Sequence, residues 1–235
     1  MPLPRATTLQ RVLTFTACVL MGKVLVEILL NYRHYWPPNF DADFLLGRER
    51  YFWNGYHWAF YAHIAIGPCA LIQGTLLVST QFRRRFPRSH RALGRIQAVS
   101  VLLILVPSGL WMAWYAASGA AAGVGFAFLA LATGMSTALG WRAAVRRRFD
   151  IHRRWMWRCH LLLCSTIILR LTAGLGTLLG LNAEWFDVQT AWTSWLVPLL
   201  LFEGLEWTRR RTVNCTVSRI ASPQYSPTVS PPVAE

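Results

Sequence analysis

The sequence predicts an all-α fold, a polytopic membrane helical bundle of six transmembrane helices. Two observations predict it. Six apolar stretches each approach the ~20 residues that cross a ~30 Å hydrocarbon core. The connections between them alternate between Arg-rich and base-poor, as loops on opposite sides of a membrane do. Composition agrees: of 235 residues 54% are hydrophobic and 14% charged, where a soluble domain carries about a quarter charged. The net charge of +14 does not point to nucleic acid. The bases cluster beside apolar stretches, which suits anionic lipid headgroups at the Arg-rich loops.

The first span runs from Val12 to Asn31. Lys23 and Glu27 within it, and the lack of a small-residue cleavage site, read as a retained helix rather than a signal peptide. The connection from Tyr32 to Trp53 is aromatic (Tyr35, Trp36, Phe40, Phe44, Tyr51, Phe52, Trp53). It reads as an interfacial loop or short surface helix, with a lid over an outward-facing cavity as the alternative. The second span is Asn54 to Thr80, the third Ala92 to Ala117 and the fourth Ala121 to Trp141. The turn Ser118-Gly119-Ala120 makes the last two an antiparallel hairpin. The fifth span is Trp155 to Leu181 and the sixth Val188 to Trp207, the latter holding Pro198, Glu203 and Glu206. Residues 1–207 therefore form one membrane domain. Residues 208–235 read as a cytoplasmic, Ser/Pro-rich disordered tail. The cysteines show no CxxC or zinc-ligand spacing and read as small buried hydrophobes.

Gln81 to Arg95 has six arginines and no acid, and Arg142 to Arg158 has seven with only Asp150. Asn182 to Asp187 has no base. The asymmetry puts both termini in the cytoplasm, and the expected location is a bacterial inner membrane.

Ionisable groups at membrane depth need partners or a water-filled cavity. Counting the helical rise puts Glu27 and Arg170 each about 22 Å from the inner surface and His63 about 17 Å from it. The three are candidates for one buried layer with an acid–base or catalytic role. His160 lies shallower, about 8 Å in, and is a candidate cofactor ligand with His63.

A motif repeats at the Arg-rich connections. Arg83-Arg84-Arg85-Phe86-Pro87-Arg88-Ser89-His90-Arg91 returns as Arg146-Arg147-Arg148-Phe149-Asp150-Ile151-His152-Arg153. Ser89 and Asp150 are expected N-caps. The repeat suggests two duplicated hairpins, with His90 and His152 facing each other across the cytoplasmic mouth. Two such imidazoles can ligate a haem iron or another metal. Arg91 and Arg153 would supply positive charge for haem propionates or a small anionic ligand.

Together these residues resemble a known family of multi-pass membrane proteins, the domain of unknown function 2306 family. The resemblance rests on His63 with Gly67-Pro68, His90-Arg91-x-x-Gly94-Arg95, and His152-Arg153-Arg154-Trp155-Met156-x-Arg158 followed by Arg170, and covers about residues 55–180. It implies a membrane-helical fold, with His63, His90, His152 and Arg170 as the signature set, and assigns no activity.

Three functions compete. The first is a membrane redox protein with haem b or quinone between helices. The second is a membrane enzyme acting on a lipid or isoprenoid. The third is a transporter or assembly factor. No P-loop, nucleophile triad or zinc-protease motif occurs. The topology is testable directly: reporter fusions at Asn39, Gly119 and Asn182 are expected outside and fusions at Arg85 and Arg147 inside. An external signal at Arg147 would sink the arrangement.

Overall fold

The computed structural model describes residues 8–42, 44–180 and 184–221. Among them all regular structure is helical: α1 (Thr8–Asn31), α2 (Glu49–Val78), α3 (Thr80–Arg85), α4 (Pro87–Trp114), α5 (Gly119–Val145), α6 (Phe149–Leu178) and α7 (Glu184–Ala221). Five of these, α1, α2, α4, α5 and α6, are long and apolar enough to cross a membrane. α7 holds the expected sixth span, its apolar run interrupted by Pro198 and by Glu203 and Glu206. The chain is an integral membrane protein.

Packing groups Met1–Leu199 into one unit and Leu200–Glu235 into another. In the second, Arg209 lies 3.9 Å from Glu206 one turn back, and the Arg211 guanidinium sits over the Trp207 ring. The expected disordered tail is corrected in its first part. α7 runs on to Ala221, because neither Gly nor Pro interrupts the chain after Gly204. Residues 222–235 lie outside the described residues.

α1 touches the bundle along one stripe. Val24 and Ile28 bury against Leu71 of α2 and Ile167 of α6. Val12, Phe15, Val19, Val26 and Leu30 stay more than half exposed. A water-facing helix would not leave such a face open, whereas hydrocarbon requires it. Cysteines follow the same split. Cys159 is buried and Cys164 half-buried, but Cys18 and Cys69 are exposed, contrary to the reading of all as buried hydrophobes.

The proline in α2 is accommodated by a side chain from α1's end. Pro68 has no N–H, so the Ile64 carbonyl one turn back loses its helical partner. The Tyr32 hydroxyl donates to that carbonyl. In α4 the adjustment is internal. Ahead of Pro107, Val101–Leu105 adopts π-helical bonding, with Val106 N–H bonded to the Val101 carbonyl, a usual way to absorb an interior proline.

α2 begins earlier than expected, at Glu49, and kinks within Phe52–Tyr56. Gly55 there has φ +97, a left-handed backbone that favours glycine. The connection before it is not a surface loop. Tyr35, Leu45, Phe52, Tyr56 and Phe60 form its own buried core. Arg48, 7% exposed, donates to the carbonyls of Phe44 and Tyr115 and to the hydroxyls of Tyr51 and Tyr56. Its guanidinium also lies 4.6 Å from the Phe44 ring centre. The aromatic segment is thus a packed cap tied to the far end of α4.

α5 and the first half of α6 form the tightest helix pair, built on small residues. Gly140 packs under Met156 and Trp155, and Thr137 meets Cys159 at 3.2 Å. Trp192 of α7 covers Gly125 and donates its indole N–H to the Ala121 carbonyl at 3.1 Å.

The Tyr32–Ile64 bond makes a specific expectation. Tyr32→Phe leaves a carbonyl unpartnered and is expected to cost about 1–3 kcal/mol in detergent unfolding. In a Pro68→Ala background the helix regains its own N–H donor, so the same exchange is expected to cost much less. Equal costs in the two backgrounds would refute the role assigned to Tyr32.

Candidate functional site

The two Arg-rich connections fold alike at their histidines. α4 starts at Pro87 after Phe86, and α6 starts at Phe149 after Arg148. His90 and His152 are each the fourth residue of their helix, with backbone N–H bonded to the Phe86 and Arg148 carbonyls at 2.9 and 3.0 Å. The two motifs align by helix position although the spacing from Phe to His differs by one. Ser89 and Asp150 are not the caps, a correction with a plain cause. Pro87 is preorganised for the first helical position, which moves the start two residues ahead of Ser89. Asp150 sits inside the first turn, where its charge opposes the helix dipole favourably.

His152 donates from Nδ1 to the Gly140 carbonyl at 2.9 Å, which leaves Nε2 as an acceptor. His90 keeps its Nδ1 buried without a partner. Burial lowers the pKa of the His90 ring, with smaller contributions from Arg83 and from His152 of the other motif, so the two motifs lie at the same end of the bundle. Arg91 and Arg153 are exposed beside them.

The expected layer of Glu27, His63 and Arg170 is not assembled. Glu27 is exposed on α1 and pairs with Lys23 at 2.6 Å. Arg170 is half-buried on α6 and makes no ion pair with Glu27. Depth along a helix fixes height but not direction. Each residue turns about 100°, so with Val24 and Ile28 facing the bundle Glu27 faces away.

His63 binds elsewhere. Its Nδ1 lies 3.2 Å from Ser108 Oγ on α4. That hydroxyl also lies within hydrogen-bond reach of the Ile104 and Leu105 carbonyls, at 2.6 and 3.1 Å. A Cβ on Gly109 would lie 3.3 Å from the same ring. His160 sits in a notch at Gly74 of α2, where a Cβ would lie 3.1 Å from its Nδ1. Its Nε2 faces Cys164 Sγ at 3.7 Å, and its Nδ1 is buried without a partner. Gln97 of α4 reaches the same notch. Its amide donates to the Ala70 carbonyl at 2.9 Å while its Oε1 is buried unpartnered.

The reading of residues along the chain missed Gln97, Ser108 and Arg48. Gln97 and Ser108 lie in apolar helices whose turning no motif revealed. Arg48 stands in a connection where Arg33, Arg48 and Arg50 balance Asp41, Asp43 and Glu49, so its charge gave no signal of its own. Among the described residues no group of three or more His, Cys, Asp or Glu side chains gathers to hold a bare metal ion.

Comparison with known proteins adds one finding. A family model described as predicted membrane protein (DUF2306) matches residues 60–205, a stretch that includes His63, His90, His152, His160 and Arg170 but not Glu27. No curated protein and no solved structure matches.

The notch at Gly74 is expected to be intolerant. Gly74→Ala should cost about 1–3 kcal/mol by overpacking, read as a lowered unfolding midpoint in detergent. Removing the His160 ring should relieve most of that, so Gly74→Ala is expected to cost little on a His160→Ala background. An unrelieved cost would place the clash elsewhere.

Proposed function

The chain belongs to the domain of unknown function 2306 family of predicted membrane proteins, and from that footing we propose a membrane redox protein that holds a haem b between His90 and His152. One observation carries the reading. His152 Nδ1 is committed to the Gly140 carbonyl, which fixes the tautomer and leaves the Nε2 lone pair for a ligand. Histidines that ligate metals almost always secure the other ring nitrogen in this way.

The surroundings support it. The second imidazole, His90, is unbonded at its buried nitrogen. His90 and His152 would hold the haem iron between them, two imidazoles being fewer ligands than a bare tetrahedral metal takes. Arg91 and Arg153 at the same helix starts are placed to neutralise propionates. Bound there, the haem supplies one-electron transfer, and the protein's part is to ligate it, orient it and balance its charge. In the orientation set by the arginines, this end faces the cytoplasm of a bacterial inner membrane. Against the competing acid–base enzyme, Glu27 is exposed and paired with Lys23, while His63 bonds Ser108.

A reduced-minus-oxidised spectrum of protein purified from haem-replete membranes is the test. A Soret band is expected, and His90→Ala and His152→Ala should each abolish it, whereas His34→Ala in the aromatic connection should leave it unchanged. A protein without the band, or a band that survives both exchanges, overturns the proposal.

A further inference from the structure

The turn between α5 and α6 builds a second feature, which uses none of the histidines and does not depend on the haem reading. A shallow cleft of about 140 Å³ opens there. Arg142, Arg146 and Arg148 line it on one side, and Leu139, Ile151 and Trp155 form an apolar wall. No acid is among its lining residues. The three arginines are exposed, and their guanidiniums make no hydrogen bond among the described residues. Arg142 and Arg146 are i, i+4 neighbours on one helix face, where like charges repel. An anion between them turns that repulsion into attraction.

The turn fixes this arrangement. Arg147 takes φ +58, a left-handed conformation usually reserved for glycine at this position past a helix end. Arg148 N–H then bonds the Ala143 carbonyl at 2.9 Å and Arg147 N–H the Ala144 carbonyl at 3.0 Å. This closes the helix end and returns the chain so that Arg148 lines the same cleft as Arg142 and Arg146. Opposite, the Arg158 guanidinium sits 4.5 Å from the Trp155 ring centre. An aromatic wall at the end of a membrane helix lies at headgroup level.

We infer that this cleft binds the phosphate of an anionic phospholipid headgroup, with the three guanidiniums on the phosphate oxygens and the lipid's glycerol region along Leu139, Ile151 and Trp155. Guanidinium forks match phosphate oxygens in pairs. Basic pockets between membrane helices take such headgroups, and the apolar wall selects a lipid over a free anion.

The test uses the full chain in detergent and native mass spectrometry. The probes are phosphatidylglycerol, phosphatidylcholine and inorganic phosphate. Retained phosphatidylglycerol is expected, with little phosphatidylcholine and no displacement by millimolar phosphate. Replacing Arg142, Arg146 and Arg148 with Gln should weaken retention by about fivefold for each arginine removed. The charge-matched control Arg84→Gln, Arg85→Gln, Arg88→Gln, at the other Arg-rich connection, should leave it near the parent level. If the triple variant fails to fold, Arg142→Gln and Arg148→Gln singly are each expected to lose about fivefold. Equal losses in cleft and control variants would overturn the inference, as would equal retention of phosphatidylcholine. Displacement by inorganic phosphate would reassign the cleft to a soluble anion.

Discussion

Inside hydrocarbon no water can satisfy a polar atom, and this bundle answers by sending side chains to backbone carbonyls on neighbouring elements. Tyr32 reaches Ile64, Gln97 reaches Ala70, His152 reaches Gly140, Trp192 reaches Ala121 and Arg48 reaches Tyr115. A carbonyl within a helix has two lone pairs and commonly spends one on its own helix. The cross-ties therefore fall where the backbone can be approached. Pro68 frees the Ile64 carbonyl altogether. Gly74, one turn after Ala70, and Gly140 itself remove the Cβ that would hold a neighbour off. The ties make the small and cyclic residues of α2 and α5 structural necessities rather than helix flaws.

The same small residues place the imidazoles. His63 lies against Gly109 and His160 against Gly74, while His152 is bonded to Gly140. In each case the ring comes from one helix and the glycine from another. A ring held between two helices in this way has few rotamers open to it, which is the preorganisation a ligand site requires. The three sites are not equivalent, however. His63 is closed by Ser108 and His160 by Leu163 and Cys164, whereas His152 lies in the first turn of its helix, where the bundle ends.

Much of the architecture was legible along the chain. Apolar length and arginine asymmetry are one-dimensional properties, so six helices and the repeated His-Arg starts could be read from residue order. Lateral partners could not. Glu27 and Arg170 share a depth, yet a single residue's turn separates Ile28, which faces the core, from Glu27, which faces out. Ser89 precedes an apolar run as a cap should, but Pro87 had already begun the helix. Arg48 looked like one charge among a balanced set, and nothing in its neighbours' identities showed that two tyrosines and two carbonyls would enclose it.

The two ends of the bundle are built to opposite purposes. At the aromatic end Leu45, Phe52 and Phe60 are fully buried, and Arg48 binds the cap to α2 and α4 with hydrogen bonds and ring contacts together. A buried guanidinium that donates from Nε and Nη1 to two carbonyls and two hydroxyls is costly to release, since each broken bond leaves an unpaired donor away from water. That end is closed. At the other end the helices terminate in first turns that carry His90 and His152, and the arginines around them lack acidic partners among the cleft's lining residues. Positive charge without internal neutralisation attracts anionic groups from outside. An anionic group that approaches from outside therefore meets unneutralised charge at the Arg-rich end, where His90 and His152 stand on the same helix starts.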